Sequence, residues 1–296
     1  MHEHFPAKLD TPEWLEQRGT LGISNRAAKA AIRASEINEQ WQIKWKNNTD
    51  MNLLGELGLQ LIDSPVSEEQ AKEMYRYFHT KRMSDFYGRH QSFLLGDKPD
   101  HVKMARTDTK TNILCPYVIE LMTDERLISM ASEYLGAPAT LNCVFPLWSF
   151  KEETPNPINM QLFHRDADDY KFVKLFILLT DTDIGNGEQA YVLGSHIREG
   201  LPSNLYEIKR YEDKVIKGHF GEQQILNVHG KAGTAWVADT HGIHRGTVPT
   251  KTNRLILQLQ YTLDPTPIFN YRQFRYSKWD ELSDLTKYST RMYLRR

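Results

Sequence analysis

The chain has 296 residues, with 37 Lys and Arg against 38 Asp and Glu, 40% hydrophobic residues and two cysteines. A net charge of −1 gives no electrostatic reason to expect nucleic acid or an anionic membrane as partner, and no apolar run approaches the ~20 residues of a transmembrane helix. Cys115 and Cys143 are too few for a disulfide framework, which leaves a globular chain of one large or two modest domains.

Residues 1–50 read as a helical extension. Ser24 is placed to cap a helix in which Ala30, Ala34, Ile37, Trp41 and Trp45 form an apolar stripe for packing. Met1-His2-Glu3-His4-Phe5 lacks the basic and apolar regions of a secretory signal, so a cytoplasmic protein is expected. Leu59-Gln60-Leu61-Ile62 is a short strand. Ser67-Glu68-Glu69-Gln70 is a capping box opening a helix with Ala71, Met74, Tyr75 and Phe78 on one face. Residues 84–112 are polar and aperiodic, the pattern of a long surface loop. A helical pair follows from Pro116 to Leu135, ended by Gly136.

From there the texture changes. Ala139–Phe150, Phe172–Thr180, Thr234–Ala238 and Leu255–Thr262 are β-rich runs separated by turn signals at 181–187 and 229–233. Short strands without intervening helices predict a sandwich or barrel, with the N-terminal helices over one face. The tail, Tyr271 to Arg296, carries seven basic residues against three acidic ones and reads as a solvated basic helix.

Chemistry concentrates at His164-Arg165-Asp166, which follows Met160-Gln161-Leu162-Phe163, a segment able to form a strand. On a strand, residues two apart share a face, so His164 and Asp166 can reach one ion. That leaves a metal one ligand short of the two-His-one-carboxylate set that favours non-haem Fe(II). His241 and His244 both stand in a turn-like segment as candidates for the third position, and spacing does not separate them. Arg254, ten residues after His244, opens a strand on which Arg254, Ile256, Gln258 and Gln260 share one face. A guanidinium pointing into a barrel mouth calls for a carboxylate.

Over residues 50–265 these motifs resemble the phytanoyl-CoA dioxygenase family of Fe(II)- and 2-oxoglutarate-dependent oxygenases. The resemblance rests on the strand and helix at 58–62 and 134–136, Gln161 through Asp166, Asn186 through His196, Ala232-Gly233-Thr234, and Asp239 through Arg254. It implies a mainly β fold with flanking helices around a double-stranded β-helix (jelly-roll, cupin-like) core at 51–265, between the 1–50 extension and a basic extension at 266–296 packed on or beside the core. It also implies metal ligands His164, Asp166 and His244, the last because the family often has an Asp five residues earlier, here Asp239. Arg254 would pair with the remote carboxylate of 2-oxoglutarate. Phe176 falls where relatives often have Trp near the co-substrate, and Gln161 is a polar contact to co-substrate or substrate. The expected cofactors are Fe(II), 2-oxoglutarate and O2, and the expected reaction is hydroxylation of a small polar metabolite with release of succinate and CO2. Asp166 favours hydroxylation over halogenation, since halogenating relatives have a small residue there.

The chain departs from the family at His244-Arg245-Gly246, where many relatives have His-Gly-Ser; Thr247 is the substitute hydroxyl. Two other readings keep the fold: a Zn(II) or Mn(II) isomerase or hydrolase, and a catalytically silent binding module. His196 is expected to be structural and His2 and His4 to belong to a loose chain end. The sequence leaves open whether His241 orients His244 or is a satisfied loop histidine. It leaves Asp168, Asp169, Lys103, Arg106 and Lys174 between surface positions and substrate contacts, Lys174 depending on which way the face it shares with Phe176 points. Oligomeric state is not legible.

Overall fold

The computed structural model describes residues 26–44, 52–86, 92–197, 201–206, 208–267, 269 and 271–296. Ser24, Trp45, His2 and His4 lie outside the described residues. Helix α1 (Arg26–Trp41) buries Ala30, Ala34 and Ile37 as the stripe predicts, and Trp41 meets Tyr288 edge-on with ring centroids 4.7 Å apart. A short α2 (Asn52–Leu57) leads into β1 (Leu59–Ile62). The box opening α3 (Glu68–His79) is closed both ways: Gln70 N–H donates to Ser67 Oγ at 3.1 Å, and Ser67 N–H to Gln70 Oε1 at 2.8 Å. Such a cap contributes about 1 kcal/mol.

Residues 84–112 depart from the expected loop. Strands β2 (Ser84–Asp85) and β3 (Met104–Arg106) extend the sheet edge, and α4 (Thr109–Ile113) begins at an Asp108 cap. Met104 and Ala105 are buried, and two apolar residues suffice to fix so short a strand against a long neighbour. Helices α5 (Val118–Met122) and α6 (Glu125–Leu135) form the predicted pair, and Gly136 ends α6 at φ +79°.

The remaining strands are β4 (Thr140–Ser149), β5 (Phe172–Leu178), β6 (Gln189–Val192), β7 (Ile225–Val228), β8 (Ala235–Ala238), β9 (His244–Gly246) and β10 (Arg254–Thr262). A seven-stranded antiparallel sheet runs β1-β8-β5-β10-β4-β3-β2, and a three-stranded one runs β7-β6-β9. Along β10, Leu255, Leu257 and Leu259 turn to the helices and Ile256, Gln258 and Gln260 to the cavity side. Both faces are buried, yet the polar residues Arg254, Gln258 and Gln260 fall on the cavity side alone. Tyr261 continues the helix-side row into the main core, and the register shift between Gln260 and Tyr261 passes over Asn142 on β4.

The C-terminal segment corrects the sequence reading. Helix α7 (Asp213–Phe220) precedes β7, whereas α8 (Asp284–Thr290) near the chain end buries Leu285, Thr286, Tyr288, Ser289 and Thr290. Tyr293 donates to Asn142 O at 2.8 Å, and Arg291 lies over Tyr288 while bonding Thr140 Oγ1 at 2.9 Å. The basic count misled because Arg291 is spent on packing, Arg275 and Arg295 sit on flanking strands β11 (Phe274–Arg275) and β12 (Leu294–Arg295), and Lys287 is the basic residue within α8.

Candidate metal centre

Two backbone segments bring the candidate ligands together. Met160–Phe163 is not a strand: Asn159–Gln161 form a 3-10 turn, with Asn159 at φ +50°, and Gln161 Oε1 accepts from Ile158 N–H at 3.1 Å. The chain then pairs antiparallel with residues 240–244. His164 and His244 exchange N–H···O bonds of 2.9 Å, and Asp166 N–H donates to Thr240 O at 2.9 Å. This ladder, rather than a regular strand, puts His164 and Asp166 on one side.

The ligand atoms of His164, Asp166 and His244 lie within 4.8 Å of one another. His164 Nδ1 contacts Leu162 O at 2.9 Å and His244 Nδ1 contacts Gly242 O at 2.8 Å. A carbonyl only accepts, so Nδ1 carries the proton in each ring and Nε2 presents a lone pair. Those Nε2 atoms stand 3.5 and 3.6 Å from the Asp166 carboxylate. Burial, with His164 alongside, brings the His244 pKa down to about 3, so its imidazole is neutral and ready to coordinate. Burial alone would raise the Asp166 pKa, but Lys174 and the two histidines hold it well below the usual carboxylate range. Two imidazoles and one carboxylate on a shared side are the donor set of non-haem Fe(II) sites.

His241 lies outside this group. Its ring contacts Asp166 O at 3.2 Å and Arg26, and its amide donates to Asp239 Oδ1 at 2.9 Å. Asp239 also accepts from Tyr134 Oη at 2.7 Å, so it fixes the segment carrying His244.

A cavity of about 330 Å³ contains the three residues together with Gln161, Phe176 and Arg254, within the range of small-molecule sites. Arg254 is buried, and its Nε and Nη2 have no hydrogen-bond partner among the described residues. Burial lowers its pKa to about 10 against the opposing pull of Glu188. Two glycines make its berth: a Cβ at Gly246 would sit 3.1 Å from Nη1, and one at Gly187 3.0 Å from Cδ. Gly246 lies on the His244 side of β9, roughly 7 Å along the strand. A buried cation in one cavity with the three candidate ligands fits a dicarboxylate bridging the two. The need for Gly246 also accounts for glycine at that place in the divergent His-Arg-Gly segment.

Phe176 stacks on Trp236 at 5.2 Å and forms a wall. Gln161 lines the cavity with its Nε2 unpartnered. Lys174 points inward, with Nζ 2.6 Å from Asp166 Oδ2 and 3.3 Å from Asp168 Oδ2. Several polar neighbours turn elsewhere. Arg165, the middle residue of the triplet, is buried and donates to Leu205 O at 2.9 Å, to Ser195 O at 2.8 Å and to His241 O. Asp169 accepts from Leu263 and Asp264 N–H, Lys103 pairs with Glu152 at 2.8 Å, and His196 meets Gly55 O at 3.0 Å. Thr247 donates to Glu188 at 2.7 Å and does not line the cavity. Cavity residues that the sequence did not single out include Phe86, Phe145, Arg210 and Phe269. Of these only Phe145 carried a signal, since it alternates with Leu147 and Ser149 along β4.

No family model and no curated protein matches the chain. Among solved structures it is similar to EctD from S. alaskensis with 2-oxoglutarate and 5-hydroxyectoine, at 14% identity and TM-score 0.51 over 75% of this chain and 79% of that one. HygX from Streptomyces hygroscopicus with nickel and 2-oxoglutarate is 15% identical, TM-score 0.48, over 76% and 89%. SnoK, a non-heme alpha-ketoglutarate-dependent carbocyclase from nogalamycin biosynthesis, is 17% identical, TM-score 0.49, over 73% and 84%. The EctD likeness shows the fold: a jelly roll of two antiparallel sheets with flanking helices.

Proposed function

We propose that the protein is an Fe(II)- and 2-oxoglutarate-dependent oxygenase of the phytanoyl-CoA dioxygenase type that hydroxylates a small polar metabolite. The observation that carries this is the buried, unpaired Arg254 in one cavity with the His164, Asp166 and His244 donor atoms. In this reading His164, Asp166 and His244 hold the iron, Arg254 takes the remote carboxylate of 2-oxoglutarate, and Gln161 and Phe176 flank the co-substrate. Bound together, iron, 2-oxoglutarate and O2 supply the oxidising power, with succinate and CO2 released. The chain's own work is positioning and exclusion of water. Backbone carbonyls hold the imidazole tautomers, Lys174 keeps the Asp166 carboxylate ionised, and Phe176 with Trp236 walls the site.

A polar substrate is supported by Lys174, Asp168, Gln258 and Gln260 on the cavity wall, not by Arg165 and Asp169, which are bound to backbone. The oxygenase unit is read as 51–265 with an extension at each end. Buried, unpaired Cys115 and Cys143 fit a reducing, cytoplasmic setting. None of the described helices is long and apolar enough to cross a membrane.

The test is calorimetric titration of 2-oxoglutarate into Fe(II)-loaded protein under anaerobic conditions, followed by succinate assay on admitting air. Iron-dependent binding with slow succinate release is expected. Absence of 2-oxoglutarate binding to iron-loaded protein overturns the reading.

A further inference from the structure

A second cleft of about 370 Å³ adjoins the metal cavity and shares Arg106, Phe145 and Phe269 with it. The inward row of β4 runs through both: Leu147 and Phe145 line the first, Phe145 and Cys143 the second. At two residues per step, Leu147 to Cys143 spans roughly 13 Å.

The second cleft carries an excess of positive charge. Arg106, Lys110 and Arg272 line the second cleft, and none has a carboxylate partner among the described residues. Arg106 and Arg272 lie over the rings of Phe86 and Phe274 at 5.1 and 5.6 Å. The cleft's carboxylate, Asp108, is committed to the α4 cap, accepting from Lys110 N–H at 2.9 Å and from Thr111 Oγ1 at 2.6 Å. In a chain of net charge −1, a recess bordered by three cations against one carboxylate focuses a positive potential.

The metal cavity adds an independent sign. Gln161 and Gln260 are 2% and 1% exposed, and the Nε2 of each has no partner. With Arg254 Nε and Nη2, every buried, unpartnered polar atom of a cavity-lining residue is an N–H donor. A buried donor left unpaired loses its hydrogen bond to water without replacement, so the ligand that completes this space is rich in acceptors.

We propose that the substrate is elongated and anionic. Its reacting end lies in the metal cavity against the Gln161 and Gln260 amides, and its far end, a carboxylate or phosphate, is held by Arg106, Lys110 and Arg272 beyond the Phe145–Phe269 neck. Only the choice of reacting end rests on the oxygenase reading.

Phenyl phosphate, benzoate and benzyl alcohol serve as probes, titrated calorimetrically into the full-length protein and into an R106Q/R272Q variant, with 2-oxoglutarate titrated separately in the presence of Fe(II). At least one anion is expected to bind tenfold or more tighter than benzyl alcohol and to lose tenfold or more in the variant. Benzyl alcohol and 2-oxoglutarate should stay within twofold. Phenyl phosphate tenfold tighter than benzoate names a phosphate tail; otherwise the tail is a carboxylate. Anions binding less than tenfold better than benzyl alcohol, or losing less than tenfold in the variant, overturn the proposal. The single Arg272→Gln change, at an exposed residue, applies the same criterion at threefold if the double variant does not fold. Loss of 2-oxoglutarate binding from the parent protein, with anion discrimination intact, refutes the cofactor reading and upholds this site.

Discussion

Replacing Arg254 by methionine should make the ligand-free protein more stable while removing its response to 2-oxoglutarate. The guanidinium is buried among groups that offer Nε and Nη2 no acceptor, and its pKa falls to about 10. At about 1.4 kcal/mol per tenfold change in proton affinity, the charged form is roughly 3 kcal/mol less favourable in the fold than in water. That penalty is present in full at neutral pH and fades only as pH rises through 10, so methionine removes it under ordinary assay conditions. Loss of Arg254 packing against Gly187 offsets part, leaving a net gain of about 1–2 kcal/mol, or a Tm rise of roughly 2–6 °C for a chain of this size. The parent protein gains about 2.7 kcal/mol when 2-oxoglutarate is supplied at a hundred times its Kd. The variant lacks the charged partner, whose truncation costs about 2–5 kcal/mol of binding. Differential scanning calorimetry with iron, with and without 2-oxoglutarate, should give curves that cross: the variant melts higher without the ligand, the parent higher with it. A variant that melts lower in the absence of ligand and still shifts with 2-oxoglutarate refutes the reasoning.

Asp166→Asn should weaken Co(II) binding by two orders of magnitude or more in equilibrium dialysis, because the buried anionic donor is lost while Lys174 remains beside the site. Gly246→Ala puts a Cβ 3.1 Å from Arg254 Nη1 and should lower 2-oxoglutarate affinity about three- to tenfold, with Co(II) affinity unchanged. His241 is kept neutral well below its ordinary pKa by burial, then by Arg26 and Arg165. The unfolded chain therefore binds the proton first, and stability should fall as pH drops below about 6.5. In urea melts at pH 7 and pH 5, His241→Gln should show a smaller loss than the parent.

What was legible in the sequence was local. The Ser67 box, the Gly136 stop and the alternation of Arg254, Ile256, Gln258 and Gln260 depend on neighbours within a few residues, and each forms as read. Direction was harder. Alternation said that Lys174 and Phe176 share a face, but only pairing of β5 with β8 and β10 turns that face to the cavity. Polarity near His164 suggested a polar pocket, yet Arg165 and Asp169 serve backbone groups distant in sequence. β7 escaped notice because its Leu226 and Asn227 are exposed, leaving Val228 as its buried residue. The C-terminal helix was misjudged because counting charge says nothing of which side carries Leu285 and Tyr288.

The Arg165 contacts have a consequence for how the molecule breathes. One guanidinium ties the carbonyls of Ser195, Leu205 and His241, and the residue itself sits between His164 and Asp166. Opening of any one of these segments takes an acceptor from a buried charge, so none can fray alone at low cost. The amides of His164, Asp166 and His244 should therefore exchange deuterium as one kinetic group, at the pace of a shared rupture rather than of a surface loop. The donor triad would then keep its spacing until the whole knot lets go.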